Sequence, residues 1–157
     1  MKTKLILLLF GMAITSFGLR AENDPLVGVW KLDLARCKFS PGPPLQSQTN
    51  KYEPSPDGIK MTAELVDARA EKRTEETIYV FDGKERPVPG SSTGATFTDA
   101  RTEPNMVERY GKGGPGTTGI FITRHVVSRD GKTLTVTQIG KDNNSQLIDN
   151  ILVFTKQ

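Results

Sequence analysis

Thr133-Leu-Thr-Val-Thr-Gln-Ile139 sets hydroxyls at 133, 135 and 137 against aliphatic side chains at 134 and 136. Successive side chains of a strand point to opposite faces, so this alternation marks a strand with one wet face and one dry face. The flanking stretches, Arg129-Asp-Gly131 and Lys141-Asp-Asn-Asn144, carry the Gly, Asp and Asn that tight turns need. Beyond the second turn, Ile151-Leu-Val-Phe154 is apolar on both faces. That last strand is either covered on both sides or lines an internal cavity with one of them.

The same pattern of strand and turn extends back through the chain. Ser55-Pro-Asp-Gly58, Asp82-Gly83 and Glu103-Pro-Asn105 are further turns, and the runs between them are rich in Val, Ile, Thr, Tyr and Phe. The predicted strands cover 26–34, 46–53, 59–66, 74–81, 95–100, 107–110, 119–128, 133–139 and 147–156. In the first of them Trp30, Leu32 and Leu34 share a face, while Lys31 and Asp33 point away. No segment shows a helical stripe, although 64–76 has helix-friendly composition. The Gly/Pro-rich stretches 87–94 and 111–116 are expected to be mobile. Short strands joined by tight turns pair consecutively, and closure into a barrel hides the sheet edges, whereas a sandwich needs longer crossovers. The expected fold is all-β: a single-domain antiparallel up-and-down barrel of about eight to ten strands.

The first twenty-one residues form a separate unit. Lys2 and Lys4 precede an apolar run of thirteen residues, Leu5 to Phe17, and Leu19-Arg-Ala21 offers a small residue at a cleavage point. That order is a secretory signal peptide, with the run too short for a membrane span of about 20 residues. The expected division is a signal peptide over 1–21 and a barrel over 22–157, exported to the periplasm or the cell exterior, with no stable membrane insertion once the signal is gone. Of 157 residues, removal of 21 leaves 136, enough for one domain that buries roughly two-thirds of its unfolded surface. Lys2, Lys4 and Arg20 leave with the signal and no acid does, so 21 basic and 18 acidic residues become 18 and 18. Charges also alternate in sign, as in Asp67-Ala-Arg-Ala-Glu-Lys-Arg-Thr-Glu-Glu76, so no basic footprint for nucleic acid is present. A monomer is the expected state.

The chemical inventory is thin. His125 is the single histidine and Cys37 the single cysteine, far apart in sequence, so no His/Cys metal cluster forms and no internal disulfide is possible. Cys37 is read as a small residue at the end of the first strand, with pairing between chains as the alternative. Asp142-Asn-Asn144 lacks the acidic spacing of calcium loops and is read as a turn. No Gly-x-Ser-x-Gly elbow accompanies His125, which is read as structural or solvent-facing. Gly111 to Gly116 lacks the Gly-Lys-Ser/Thr order of a phosphate loop and is read as a hairpin end. Glu75 and Glu76 are adjacent in a strand and face opposite sides, while Asp67, Asp82, Glu85 and Asp99 could converge only through tertiary structure. No catalytic residue, metal ligand or cofactor is assigned, and an enzyme is not expected.

Leu26-Val-Gly-Val-Trp-Lys-Leu32 resembles the Gly-x-Trp opening of lipocalin-like (calycin) barrels, the matching positions being Gly28 and Trp30. The resemblance implies that Trp30 plugs one barrel end under a basic side chain from a late strand, Arg124 being the first candidate and Lys156 the second. Stacking a guanidinium on an indole is worth about 0.5 to 2 kcal/mol. Asp24-Pro25, Gly28-Val-Trp-Lys-Leu-Asp-Leu-Ala-Arg-Cys-Lys-Phe-Ser-Pro-Gly-Pro43, Tyr52-Glu-Pro-Ser-Pro-Asp-Gly58, Phe81-Asp-Gly-Lys84 with Pro87-Val-Pro-Gly90, and Val127-Ser-Arg-Asp-Gly-Lys-Thr-Leu-Thr-Val-Thr137 are similar to a group of small exported bacterial proteins. That likeness implies export and a β fold, and it carries over no activity.

Small barrels of this type hold one apolar ligand. Residues of sufficient bulk at strand positions, Trp30, Tyr79, Phe97, Phe121 and Phe154, are the candidate lining for a small hydrophobic molecule; their other reading is plain core. The alternative function is an envelope or secreted interaction module that acts through the Pro/Gly-rich loops 41–44, 87–94 and 111–116, without enzymatic activity.

Overall fold

In the computed structural model, which describes residues 23–117, 119–142 and 144–157, ten antiparallel strands form one sheet. They are β1 (Gly28–Leu32), β2 (Ser47–Ser55), β3 (Gly58–Val66), β4 (Lys72–Tyr79), β5 (Arg86–Pro87), β6 (Thr96–Glu103), β7 (Met106–Lys112), β8 (Ile120–Val127), β9 (Thr133–Lys141) and β10 (Leu147–Lys156). Each pairs with its sequence neighbours, except that β1 also meets β10, and this leaves β4 and β5 as the two edges. The sheet curls into the expected up-and-down barrel. Between β4 and β5 it has no backbone ladder. The expected signal segment 1–21, with Glu22, Thr118 and Asn143, lies outside the described residues. Among those described, no helix is long and apolar enough to cross a membrane.

The period of two fixes the inside. Even positions face inward on β1, β2, β9 and β10 (Trp30, Leu32, Asn50, Tyr52, Leu134, Val136, Leu152, Phe154), and odd positions do so on β3, β4, β6, β7 and β8. One end is solidly packed: Trp30, Tyr52, Val107, Val127, Leu134 and Phe154 are all at most 1% exposed. Burying each such side chain contributes roughly 1.5–3 kcal/mol. The segment before β1 covers this end. Asp24 accepts the amide of Leu26 at 2.9 Å and pairs with Arg101, and the Trp30 indole N–H donates to the Leu26 carbonyl at 2.8 Å.

The cation over the indole is Lys156 and not Arg124. Lys156 Nζ sits 5.0 Å from the ring centroid, and Lys156 is the β10 residue directly paired with Trp30. Arg124 occupies an even position on β8, where the odd positions face inward, so it projects outward and donates to Glu108 at 2.6 Å. Gly28, at φ 136°, adopts a conformation closed to other residues, and a Cβ there would come within 2.8 Å of Lys156 Cε.

The first strand is shorter than predicted, because the chain turns into a single 3-10 turn at Leu34–Arg36. It nevertheless stays beside β10. Asp33 and Lys38 donate to the carbonyls of Val153 and Ile151, and Val153 donates to Cys37 Sγ at 3.3 Å. Cys37 thus takes the place of a backbone acceptor, and burial pushes its thiol pKa up. The stretch expected to be mobile at 87–94 begins with β5, which pairs only two residues with β6. A very short edge strand containing proline presents little ladder to a foreign strand.

Candidate ligand-binding cavity

Above the packed end the barrel is hollow. A cavity of about 370 Å³ lies between β2, β3, β4 and β6 to β10. Tyr79, Phe97, Phe121 and Phe154 line it. Trp30 does not: it lies below, inside the solid base, and its role as a lining residue is corrected. Ala63 and Leu152 complete the apolar wall, while Val88 and Pro89 reach it from the loop after β5. Gly111, read from sequence as part of a flexible end, belongs to β7, and its missing side chain seats the Phe121 ring. A Cβ at Gly111 would fall 2.3 Å from Phe121 Cζ.

A polar layer lies across the cavity that sequence reasoning did not assemble. Asp99 on β6 and Arg109 on β7 are directly paired, both facing inward, and Asp99 is fully buried. Arg109 Nε donates to Asp99 Oδ1 at 2.6 Å and Nη2 to Oδ2 at 2.9 Å. The same guanidinium reaches across the unladdered seam to β4, donating to Thr77 Oγ1 at 2.8 Å and to the Ile78 carbonyl at 3.1 Å. Asp99 Oδ2 also accepts the amide of Val80 at 3.2 Å. Arg109 is held between two rings, 4.3 Å from the centroid of Tyr79 and 4.1 Å from that of Phe97. Side chains therefore close the barrel where the backbone ladder stops.

The other three acids raised by the sequence do not join Asp99. Asp82 is clasped by Arg86, Glu85 pairs with Lys112, and Asp67 accepts the amides of Arg69 and Glu71 within its own turn. Glu75 and Glu76 alternate as expected. Glu75 is opposite inward-facing Ala63 at the cavity rim, and Glu76 is bound by Lys60. Among the described residues no group of His, Cys, Asp and Glu could hold a metal ion.

His125 is buried on β8, with Nε2 3.4 Å from the Tyr79 hydroxyl and its ring edge-on to both Tyr79 and Tyr52. Among the described residues its Nδ1 has no partner. Burial, and then the charge of Arg109, depress its pKa to about 3. The phenol of Tyr79 moves the other way, pushed up to about 12 by burial, and that of Tyr52 rises well above its usual range for the same reason. At neutral pH the imidazole and both phenols are uncharged. The sign of the linkage follows: between pH 6.5 and about 3 the unfolded chain takes a proton at His125 that the folded chain refuses. The stabilising effect is present above 6.5 and is lost as pH falls. Urea unfolding is expected to show about 2 kcal/mol less stability at pH 5 than at pH 7, and His125→Gln is expected to flatten that slope. Unfolded carboxylates titrate near pH 4, below the span from pH 7 to pH 5, and contribute little to this difference.

A second concavity, about 750 Å³, follows the seam between β4 and β5 and is lined by Lys60, Ile78, Asp82, Arg86 and Pro87 among others. It shares Glu76, Thr77, Pro89 and Phe97 with the interior cavity, so the seam and the interior meet at these residues.

No family model matches the chain, and no curated protein matches it in sequence. Solved structures do match in shape. A Schistosoma mansoni fatty acid binding protein in complex with arachidonic acid aligns with TM-score 0.58 at 13% identity, over 85% of this chain and 96% of that one. As-p18, an extracellular fatty acid binding protein, aligns with TM-score 0.55 at 17% identity, over 85% and 97%. At this level of identity the likeness is one of architecture: the protein shares the curled antiparallel β-barrel fold of these structures.

Proposed function

We propose that the protein is an exported, non-enzymatic carrier that holds one small apolar ligand inside its barrel. The observation that supports this most is the hollow between Tyr79, Phe97, Phe121 and Phe154, whose volume of about 370 Å³ falls within the roughly 300–1,000 Å³ usual for small-molecule sites. The two fatty acid binding proteins of like fold support the same reading. Export is supported by the order of Lys2, Lys4, the apolar run and Ala21. The seam concavity borders the hollow at Glu76, Thr77, Pro89 and Phe97.

Fluorescence titration with the uncharged dye Nile red tests the reading. The protein is expected to bind it with saturable emission, and Ala63→Phe, which places a ring in the hollow, is expected to weaken binding about tenfold or more. The melting temperature of this variant is expected to stay within about 5 °C of the parent, since the ring fills existing space. Absence of saturable binding, or binding indifferent to Ala63→Phe, would remove the hollow as the site.

A further inference from the structure

We propose that the occupant of this cavity is a long-chain amphiphile with an uncharged hydroxyl head, and not a carboxylate, a selectivity set by the Asp99–Arg109 pair and the buried imidazole of His125. The inference rests on the carrier reading above and specifies its ligand.

The cavity wall carries one cation, Arg109. A carboxylate head would need that charge, and it is already taken. Both carboxylate oxygens of Asp99 accept from Arg109, two further donors reach Thr77 and Ile78, and its two faces are covered by Tyr79 and Phe97. A bidentate pair of this kind in a dry interior does not release its cation without leaving Asp99 buried and unpaired. The charged residue at the inward rim, Glu75, is an acid, so an anionic head is repelled at entry as well. An ammonium head fares no better in the buried layer, because Asp99 is already paired with Arg109 and Glu75 stands out at the exposed rim.

The remaining inward polar groups of this layer are neutral: Asn50, Thr123, Gln138 and His125. Asn50 is engaged with Gln48 and Tyr52, and Gln138 with Asn150. His125 differs, since Nδ1 is buried without a partner among the described residues. A buried polar atom left unpaired is costly, and a turn of the ring that brings it to a ligand recovers that cost. A hydroxyl both donates and accepts, so it suits the imidazole in either tautomer.

The test is displacement of Nile red by dodecanol, dodecanoate and dodecylamine, which share chain length and differ in the head. Dodecanol is expected to bind about tenfold or more tightly than either charged analogue at pH 7.5. In Asp99→Asn, which leaves the Arg109 charge uncancelled, the ratio of dodecanol to dodecanoate affinity is expected to fall about tenfold. The ranking on the parent protein decides the matter alone if that variant does not fold. Nile red binding with dodecanoate or dodecylamine equal to or tighter than dodecanol would overturn the head-group assignment and leave the carrier reading standing. Failure of Nile red and all three chains to bind would overturn both.

Discussion

Replacing Asp99 with alanine is expected to lower the unfolding free energy by about 3–5 kcal/mol in urea denaturation, the cost of leaving a buried guanidinium without its counterion. Asp99 is fully buried, accepts twice from Arg109 and once from the Val80 amide, and so holds β6 and β7 to the chain that follows β4. No backbone ladder there takes over if it is lost. Breaking one partner of such a pair costs more than replacing both with apolar side chains of similar volume. The double variant Asp99→Leu, Arg109→Met is therefore expected to lie closer to the parent than Asp99→Ala does. If Asp99→Ala unfolds with parental stability, side chains do not close the seam.

Trp30→Ala is expected to cost a similar 3–5 kcal/mol, for a different reason. The indole is wholly buried at the packed end, under Lys156, with its N–H bonded to the Leu26 carbonyl. Truncation empties the plug, leaves that carbonyl short of a donor and frees the segment before β1. The indole is 0% exposed and lies apart from the residues that line the hollow. Because Trp30 is the single tryptophan and lies below the cavity, its emission is expected to be blue, shielded from acrylamide and unchanged by ligand. Emission resembling that of an exposed indole would contradict the packed base.

Much of the architecture was legible because a strand's period is local. The Thr/Leu/Val alternation over 133–137 and the turn residues at 129–131 and 141–144 identify β8, β9 and β10 without reference to the rest of the chain. The bulky residues Tyr79, Phe97, Phe121 and Phe154 were placed on strands for the same reason. What was not legible depends on register and on summed volume. Arg124 and Lys156 were both basic residues on late strands. Only the parity of β8, and the direct pairing of Trp30 with Lys156, decides which one covers the indole. Asp99 and Arg109 are ten positions apart and meet because of the pairing of β6 with β7. One signal for them was present: Asp99 and Arg109 carry opposite charges, and each stands two positions after an apolar residue, Phe97 and Val107. Gly111 was taken for a hairpin end because glycine content alone does not distinguish a loop from a strand position kept clear for a neighbour's ring. Whether the interior is full or hollow follows from the sizes of residues on eight strands at once, which no single stretch contains.

The most direct measurement is isotope-filtered nuclear Overhauser spectroscopy on the labelled protein with unlabelled dodecanol. A hollow barrel that carries its ligand inside gives contacts from the alkyl chain to the rings of Tyr79, Phe97, Phe121 and Phe154, and none to Trp30. Contacts confined to the outward-facing Tyr110, Ile122 and Ile139, which are 43%, 43% and 55% exposed, or the absence of any contact, would contradict it.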